Sequence, residues 1–165
     1  MRRLWALLLL LAIFLCSAPA QALLLQETLA SGDILDKSLR SLQDNHGYSW
    51  QLVAFKVDSE PRAYLRLVGF PAVTPIDHRA PLMVQTGATL TSVRDQTPDF
   101  GHEPPATVAQ YPLAPILAQQ SAPTAMDLSI PSQSPEGDRS SDLHIPKSVA
   151  AEWWAILDHE ATTPK

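Results

Sequence analysis

GYSWQLVAFKVDSEPRAYLRLVGFP, residues 47–71, is the stretch whose reading decides the fold. Aromatic and β-branched side chains alternate along residues 48–57 and again along 62–70, with Asp58-Ser59-Glu60-Pro61 between them. Two such runs around a turn-forming cluster predict a β-hairpin. In the first strand Tyr48, Trp50, Leu52 and Ala54 share one face, and Val53, Phe55 and Val57 share the other. In the second, Leu65 and Leu67 oppose Tyr64, Val68 and Phe70, with Arg66 as the one charge inside the run. Neither strand is half polar, so both faces are expected to be covered over part of their length, as in a sandwich or small barrel.

Working outward on the N-terminal side, Asp44-Asn45-His46-Gly47 is a turn signal, since Asn and Gly tolerate positive φ. Residues 34–42 carry Leu35, Leu39 and Leu42 among polar residues and predict a preceding strand with room for a bulge. Residues 23–30 read as a short amphipathic arm or helical lead-in, stopped by Ser31-Gly32-Asp33. Residues 1–22 are set aside from the fold. Arg2 and Arg3 precede a twelve-residue apolar run over 4–15, and Ala20-Gln21-Ala22 places small residues at a cleavage site. That run is shorter than the roughly 17–25 residues of a membrane-spanning helix. A cleaved secretory signal is therefore expected, and the Leu23-Leu24-Leu25 extension leaves an uncleaved membrane anchor as the alternative. Cys16 follows Phe14 and Leu15 rather than a small residue, so it reads as apolar filler of the leader and not as a lipid-modified cysteine. Export then leaves residues 23–165 without cysteine, and so without disulfides, thiolate metal sites or a cysteine nucleophile.

On the C-terminal side, residues 81–85 and 88–93 predict a second hairpin around Thr86-Gly87. Over about 97–134 proline becomes frequent, and residues 104–126 carry no charge. Such density suits edge strands and extended loops. The apolar content of Val108, Tyr111, Leu113, Ile116 and Leu117 favours an ordered irregular segment over a disordered tail, with strands at 108–117 and 125–130. Residues 132–141 form an exposed loop, 142–145 a short strand, and Pro146 opens a terminal helix to about His159. On that helix Val149, Trp153 and Ile156 share a face, flanked by Ala150, Trp154 and Leu157, while Glu152 and Asp158 are read as surface charge. The expected architecture is mainly β, an antiparallel sandwich or partly closed barrel of six to eight strands with a C-terminal α-helix, as a single β-rich domain after the leader.

Chemistry is sparse. The chain has a net charge of −5, and loss of Arg2 and Arg3 would take it to −7. With no basic cluster, nucleic acid and anionic membrane surfaces are not expected partners. The five histidines (His46, His78, His102, His144 and His159) show no HxH or HxxxH spacing. Asp77-His78 and Asp99 with His102-Glu103 lie in loops where nothing completes a metal site. There is no G-x-S-x-G elbow, no S-x-x-K and no phosphate-cradling loop. Asp142 and His144 share a strand face and could recruit a serine, as almost any serine-rich chain permits. No catalytic, cofactor or metal residue is assigned. The candidate interaction residues are Trp153, Trp154, Tyr111 and Arg66, with Asp36 or Asp77 as possible ion-pair partners of Arg66.

Gly47-Tyr48-Ser49-Trp50-Gln51-Leu52-Val53-Ala54-Phe55-Lys56 followed by Leu65-Arg66-Leu67-Val68-Gly69-Phe70-Pro71 resembles a family of small exported cyanobacterial proteins known only as a domain of unknown function. Leu42 and Asp44, Asp77-His78 with Pro81-Leu82, Gln110-Tyr111-Pro112-Leu113, Ile145-Pro146 and Glu152-Trp153 extend the resemblance over nearly all of residues 23–165. It implies a periplasmic or thylakoid-lumenal setting, and no activity or catalytic residues. The expected function is non-enzymatic: binding, or helping to assemble, a membrane-associated complex such as a photosynthetic one. The alternative is carriage of a small apolar ligand in a barrel lined by Trp50, Leu52, Leu65 and Leu67. Docking needs aromatics outside; carriage needs them around a hollow.

Overall fold

The structure, a computed structural model, describes residues 24–70, 75–100, 105–133 and 140–158. The leader with Cys16, the His102-Glu103 pair, most of the 132–141 loop and His159 lie outside the described residues. Nine strands form among the described residues: β1 (Leu25–Thr28), β2 (Ile34–Gln43), β3 (Ser49–Val57), β4 (Ala63–Gly69), β5 (Leu82–Thr86), β6 (Thr89–Val93), β7 (Val108–Pro112), β8 (Met126–Ile130) and β9 (Ser141–Ile145). A short helix α1 (Leu113–Leu117) follows β7, and α2 (Lys147–Asp158) follows β9. They make two antiparallel sheets, one in the order β1-β2-β3-β4-β7 and one in the order β6-β5-β8-β9. The architecture is the expected sandwich with a C-terminal helix, and it is not closed into a barrel.

The period-2 pattern of residues 47–71 becomes the centre of the larger sheet, with Trp50 opposite Gly69, Leu52 opposite Leu67 and Ala54 opposite Leu65. Those side chains point inward and are almost wholly buried with Leu82, Val84, Leu128, Ile130, Leu143 and Ile145 from the smaller sheet. The Asp44–Tyr48 turn that sets this register is built around one carboxylate. Asp44 Oδ1 accepts the amides of His46 and Tyr48, each at 2.9 Å, and Oδ2 accepts the Trp50 indole N–H at 3.0 Å. Gly47 takes φ +82°, which a side chain would strain. The same turn clamps the two sheets together: the Asn45 amide donates to the Asp142 carbonyl and the Asp142 amide to Asn45 Oδ1, both at 3.0 Å.

Three expectations need correcting. Residues 25–28, expected within a helical lead-in or arm, are an edge strand, because pairing with β2 satisfies their backbone where a short isolated helix would be marginal. Pairing of β2 with β3 runs unbroken from Leu35–Val57 to Gln43–Ser49, without a bulge. The strand expected over 108–117 stops at Pro112, where α1 begins. Pro115 is tolerated there because the first turn of a helix needs no N–H donors.

The largest departure is Glu152. Read as surface charge, it is 1% exposed and lies between the buried Val149, Trp153 and Ile156 of α2. Its carboxylate accepts the Ser38 hydroxyl and the Arg40 guanidinium, with Arg40 Nε at 3.0 Å. Ser38 and Arg40 point inward from β2, which explains why that strand looked imperfectly amphipathic: its polar residues face the helix and Leu39, 45% exposed, faces out.

Two outcomes follow for stability. Trp153→Ala should cost about 3–5 kcal/mol through the cavity it leaves, read from the midpoint of denaturant unfolding. Burial pushes the Asp44 carboxyl up, but the hydrogen bonds from Trp50, Tyr48, Ser141 and His46 outweigh it and hold the group below the usual carboxylate range. A depressed folded-state value contributes stability above the unfolded value of roughly 3.9 and loses it as pH falls through the folded one. Asp44→Asn should therefore be less stable than the native chain at pH 7 and lose less on acidification below pH ~4, measured by thermal unfolding across pH.

Candidate functional site

The structure separates the four candidate interaction residues. Trp153 and Tyr111 are both 0% exposed and belong to the core, so neither offers a contact surface. Burial, with the negative charge of Asp95 nearby, pushes the Tyr111 phenol far above its ordinary value, so it stays neutral. Trp154 is half-buried, and its indole N–H reaches Gln120 Oε1 at 3.3 Å. Arg66 is exposed on the outward face of β4. Its partner is neither Asp36 nor Asp77. Gln110 stands directly opposite on β7, and its Oε1 accepts Arg66 Nε at 3.0 Å and Nη2 at 2.7 Å. The guanidinium lies 5.2 Å over the Phe55 ring, and Phe55 packs in turn on Tyr64 with centroids 5.8 Å apart.

Arg66, Phe55 and Tyr64 sit on the outer face of the larger sheet, where the β6–β7 connection covers Gln110 at the β7 edge. Register places Leu25, Lys37, Phe55 and Tyr64 in one row and Leu39, Val53, Arg66 and Gln110 in the next. Leu29, Leu35, Lys37, Val53, Phe55, Val57 and Arg66 line a shallow groove of about 360 Å³ there. Leu25 at 39% and Leu39 at 45% exposed widen the apolar surface around it. Lys37 is the other cation in the groove, and its ammonium is already paired with Glu27. The outward face of the smaller sheet is different in kind. Register brings Leu90, Gln85, Asp127 and His144 into one row and Ser92, Met83, Ser129 and Asp142 into the next, a surface that is mostly polar apart from Leu90, 57% exposed, and Met83.

The carrier geometry finds no support in the interior. Trp50, Leu52, Leu65 and Leu67 are between 0% and 1% exposed and belong to one contiguous core spanning both sheets. Nor do Asp142 and His144 act together. His144 Nδ1 bonds Asp127 at 2.7 Å across the sheet, while Asp142 accepts the Ser140 hydroxyl at 3.0 Å and the Asn45 amide nitrogen at 3.2 Å.

A second polar cluster was not legible as a site in the sequence. Asp95, 1% exposed, accepts His78 Nδ1 at 2.6 Å, the Thr97 amide at 2.8 Å and the Thr97 hydroxyl at 2.7 Å. His78 borders a cleft of about 740 Å³ with Asp77, Arg79, Pro98 and Gln133. The buried carboxylate orients the imidazole through Nδ1, and Nε2 is itself buried and without a hydrogen-bond partner among the described residues. A general base must reach the proton it removes within about 2.6–3.2 Å, so this dyad acts in the structure as a brace. It ties the segment before β5 to the β6–β7 connection, whose Gln96 amide also donates to the Gln110 carbonyl at 2.8 Å and so covers the β7 edge. The Asp-x-Thr spacing at 95–97 was the available signal, since Asp and Thr at that distance form a local side-chain turn. Among the described residues no group of three or more His, Cys, Asp or Glu could hold a metal ion, and no helix is long and apolar enough to cross a membrane.

No curated protein and no solved structure matches the chain. Residues 22–156 match the family described as protein of unknown function (DUF3122), spanning the hairpin, both sheets and most of α2, and the chain belongs to that family.

Proposed function

We propose that this is an exported, non-enzymatic protein that binds, or helps to assemble, a membrane-associated complex, and that it docks through the outer face of its five-stranded sheet. The observation that carries the reading is the contrast between the two sheets. One outward face is mostly polar, with Leu90 as its exposed apolar residue; the other leaves Leu25 and Leu39 exposed and Val53, Phe55 and Val57 half-buried around the groove. Monomeric proteins rarely expose large contiguous apolar surfaces without using them. Strands about 4.8 Å apart and rising about 3.3 Å per residue give a five-stranded face of roughly 550 Å². That is about two thirds of the ~800 Å² per partner of a standard specific interface. The apolar run and small-residue site of residues 1–22 support export in this reading, to the periplasm or thylakoid lumen of a cyanobacterium, with a photosynthetic complex as the first candidate partner.

The test is affinity capture of the C-terminally tagged full chain from solubilised host membranes, read by mass spectrometry. The native chain should recover a membrane complex at near-stoichiometric level. Val57→Glu, at a position opposite Leu35 rather than a cation, should lower recovery at least tenfold, since a charge buried at an interface without a partner is costly. Ser129→Glu on the opposite sheet should leave recovery unchanged. A native chain that copurifies with nothing and migrates as a free monomer contradicts the proposal.

A further inference from the structure

The docking reading leaves the chemistry of the partner open, and the inference below rests on it. Within the apolar groove Arg66 is the cation left uncompensated. Lys37 is neutralised by Glu27, whereas no carboxylate pairs with Arg66 among the described residues. A guanidinium carries five N–H donors. Gln110 Oε1 accepts from Nε and Nη2, and the remaining donors stay uncommitted on an exposed residue.

The side chain is also held in place before anything binds. Gln110 is 4% exposed, so its amide is a fixed post, and the Phe55 ring supports the guanidinium from below at 5.2 Å. A long flexible side chain ordinarily loses rotamer freedom on binding; one already clamped loses less. A fixed guanidinium offering parallel N–H groups fits a carboxylate in two-pronged fashion. The chain as a whole is acidic, with net charge −5, so a cation presented in the middle of its apolar face selects against a basic partner at that point and for an acidic one.

We propose that the groove recognises an acidic side chain framed by apolar residues on a partner protein, the carboxylate meeting Arg66 and the apolar neighbours covering Leu35, Val53, Phe55 and Val57. A small free carboxylate is disfavoured by shape. Binding pockets bury most of a small ligand's surface, and this groove lies open on the face of a sheet between half-exposed side chains. Only an occupant that brings its own surface can close it.

The test pans phage-displayed random heptapeptides on the immobilised full chain in non-ionic detergent, then measures synthetic winners by fluorescence anisotropy. Enriched peptides should combine Leu, Val or Phe with Asp or Glu. Their affinity should fall roughly tenfold to a hundredfold with Arg66→Gln, in keeping with a charge-assisted hydrogen bond. Replacing the peptide's Glu by Gln should cause a similar loss, and the two changes together should cost little more than either alone. Arg66→Lys, which keeps the charge without the stacked fork, should recover only part of the binding. Unchanged melting temperatures show that the variants are folded.

Enrichment of apolar peptides without acids, acid-bearing peptides indifferent to Arg66→Gln, or no enrichment at all would overturn the proposal. Val57→Glu, opposite Leu35 and away from Arg66, separates it from the docking reading. Binding lost in Val57→Glu but kept in Arg66→Gln leaves the face as an interface and removes the carboxylate, whereas binding indifferent to both removes the two together. Saturable binding of sodium octanoate that depends on Arg66 would assign the groove to small amphiphiles and overturn the choice of a protein partner.

Discussion

A carboxylate buried under a helix decides which way this sandwich faces. Glu152 cannot sit in the core without donors, because an unpaired buried charge costs several kcal/mol. Ser38 and Arg40 supply them from β2, so α2 must lie against β2 and β3 in one orientation. That contact turns Trp153 and Ile156 into the interior and closes it. It also fixes the parity of β2. With Ser38 and Arg40 inward, Leu35, Lys37 and Leu39 face out, and pairing then places Val53, Phe55, Val57 and Arg66 on the same outer surface. The exposed apolar face follows from the buried ion pair. Hydrophobic replacement of such a pair is often neutral or better for stability, so its value here is orientation: it discriminates between two ways of laying an amphipathic helix on a sheet.

The parts legible in the sequence were those governed by local pattern. Alternation over residues 47–71 placed β3 and β4 to within a residue at each end, and Pro146 marked the start of α2. Apolar content in the Pro-rich stretch pointed to order, and β7, α1 and β8 lie within it. What escaped was long-range pairing of polar groups. Glu152 and Ser38 are 114 positions apart, and no rule of periodicity links them. Asp95 drew no notice in the sequence because its hydrogen-bond partners, His78 and Gln110, come from either side of it in the chain. Tyr111 and Trp153 were read by residue type as anchors; burial belongs to the fold, and the fold put both inside.

Arg66 shows the same limit from the other direction. A charge inside a central strand demands a partner, and the acids at Asp36 and Asp77 were the natural ones to consider. Pairing supplied a neutral partner instead, Gln110, placed opposite by the β4–β7 register and held by the loop that carries Asp95 and Thr97. The outer face therefore combines an apolar ground with a fixed, unneutralised cation. The interior, by contrast, is filled, and the exterior of the second sheet is mostly polar apart from Leu90 and Met83.

The most direct test of this account is site-specific photocrosslinking in intact host cells, with a photoreactive side chain placed at Val53 on the outer face of the larger sheet or at Ser129 on that of the smaller one. The account predicts a discrete adduct with a membrane-complex subunit from position 53 and none from position 129. Adducts from 129 alone, equal labelling from both, or no adduct from 53 would contradict it.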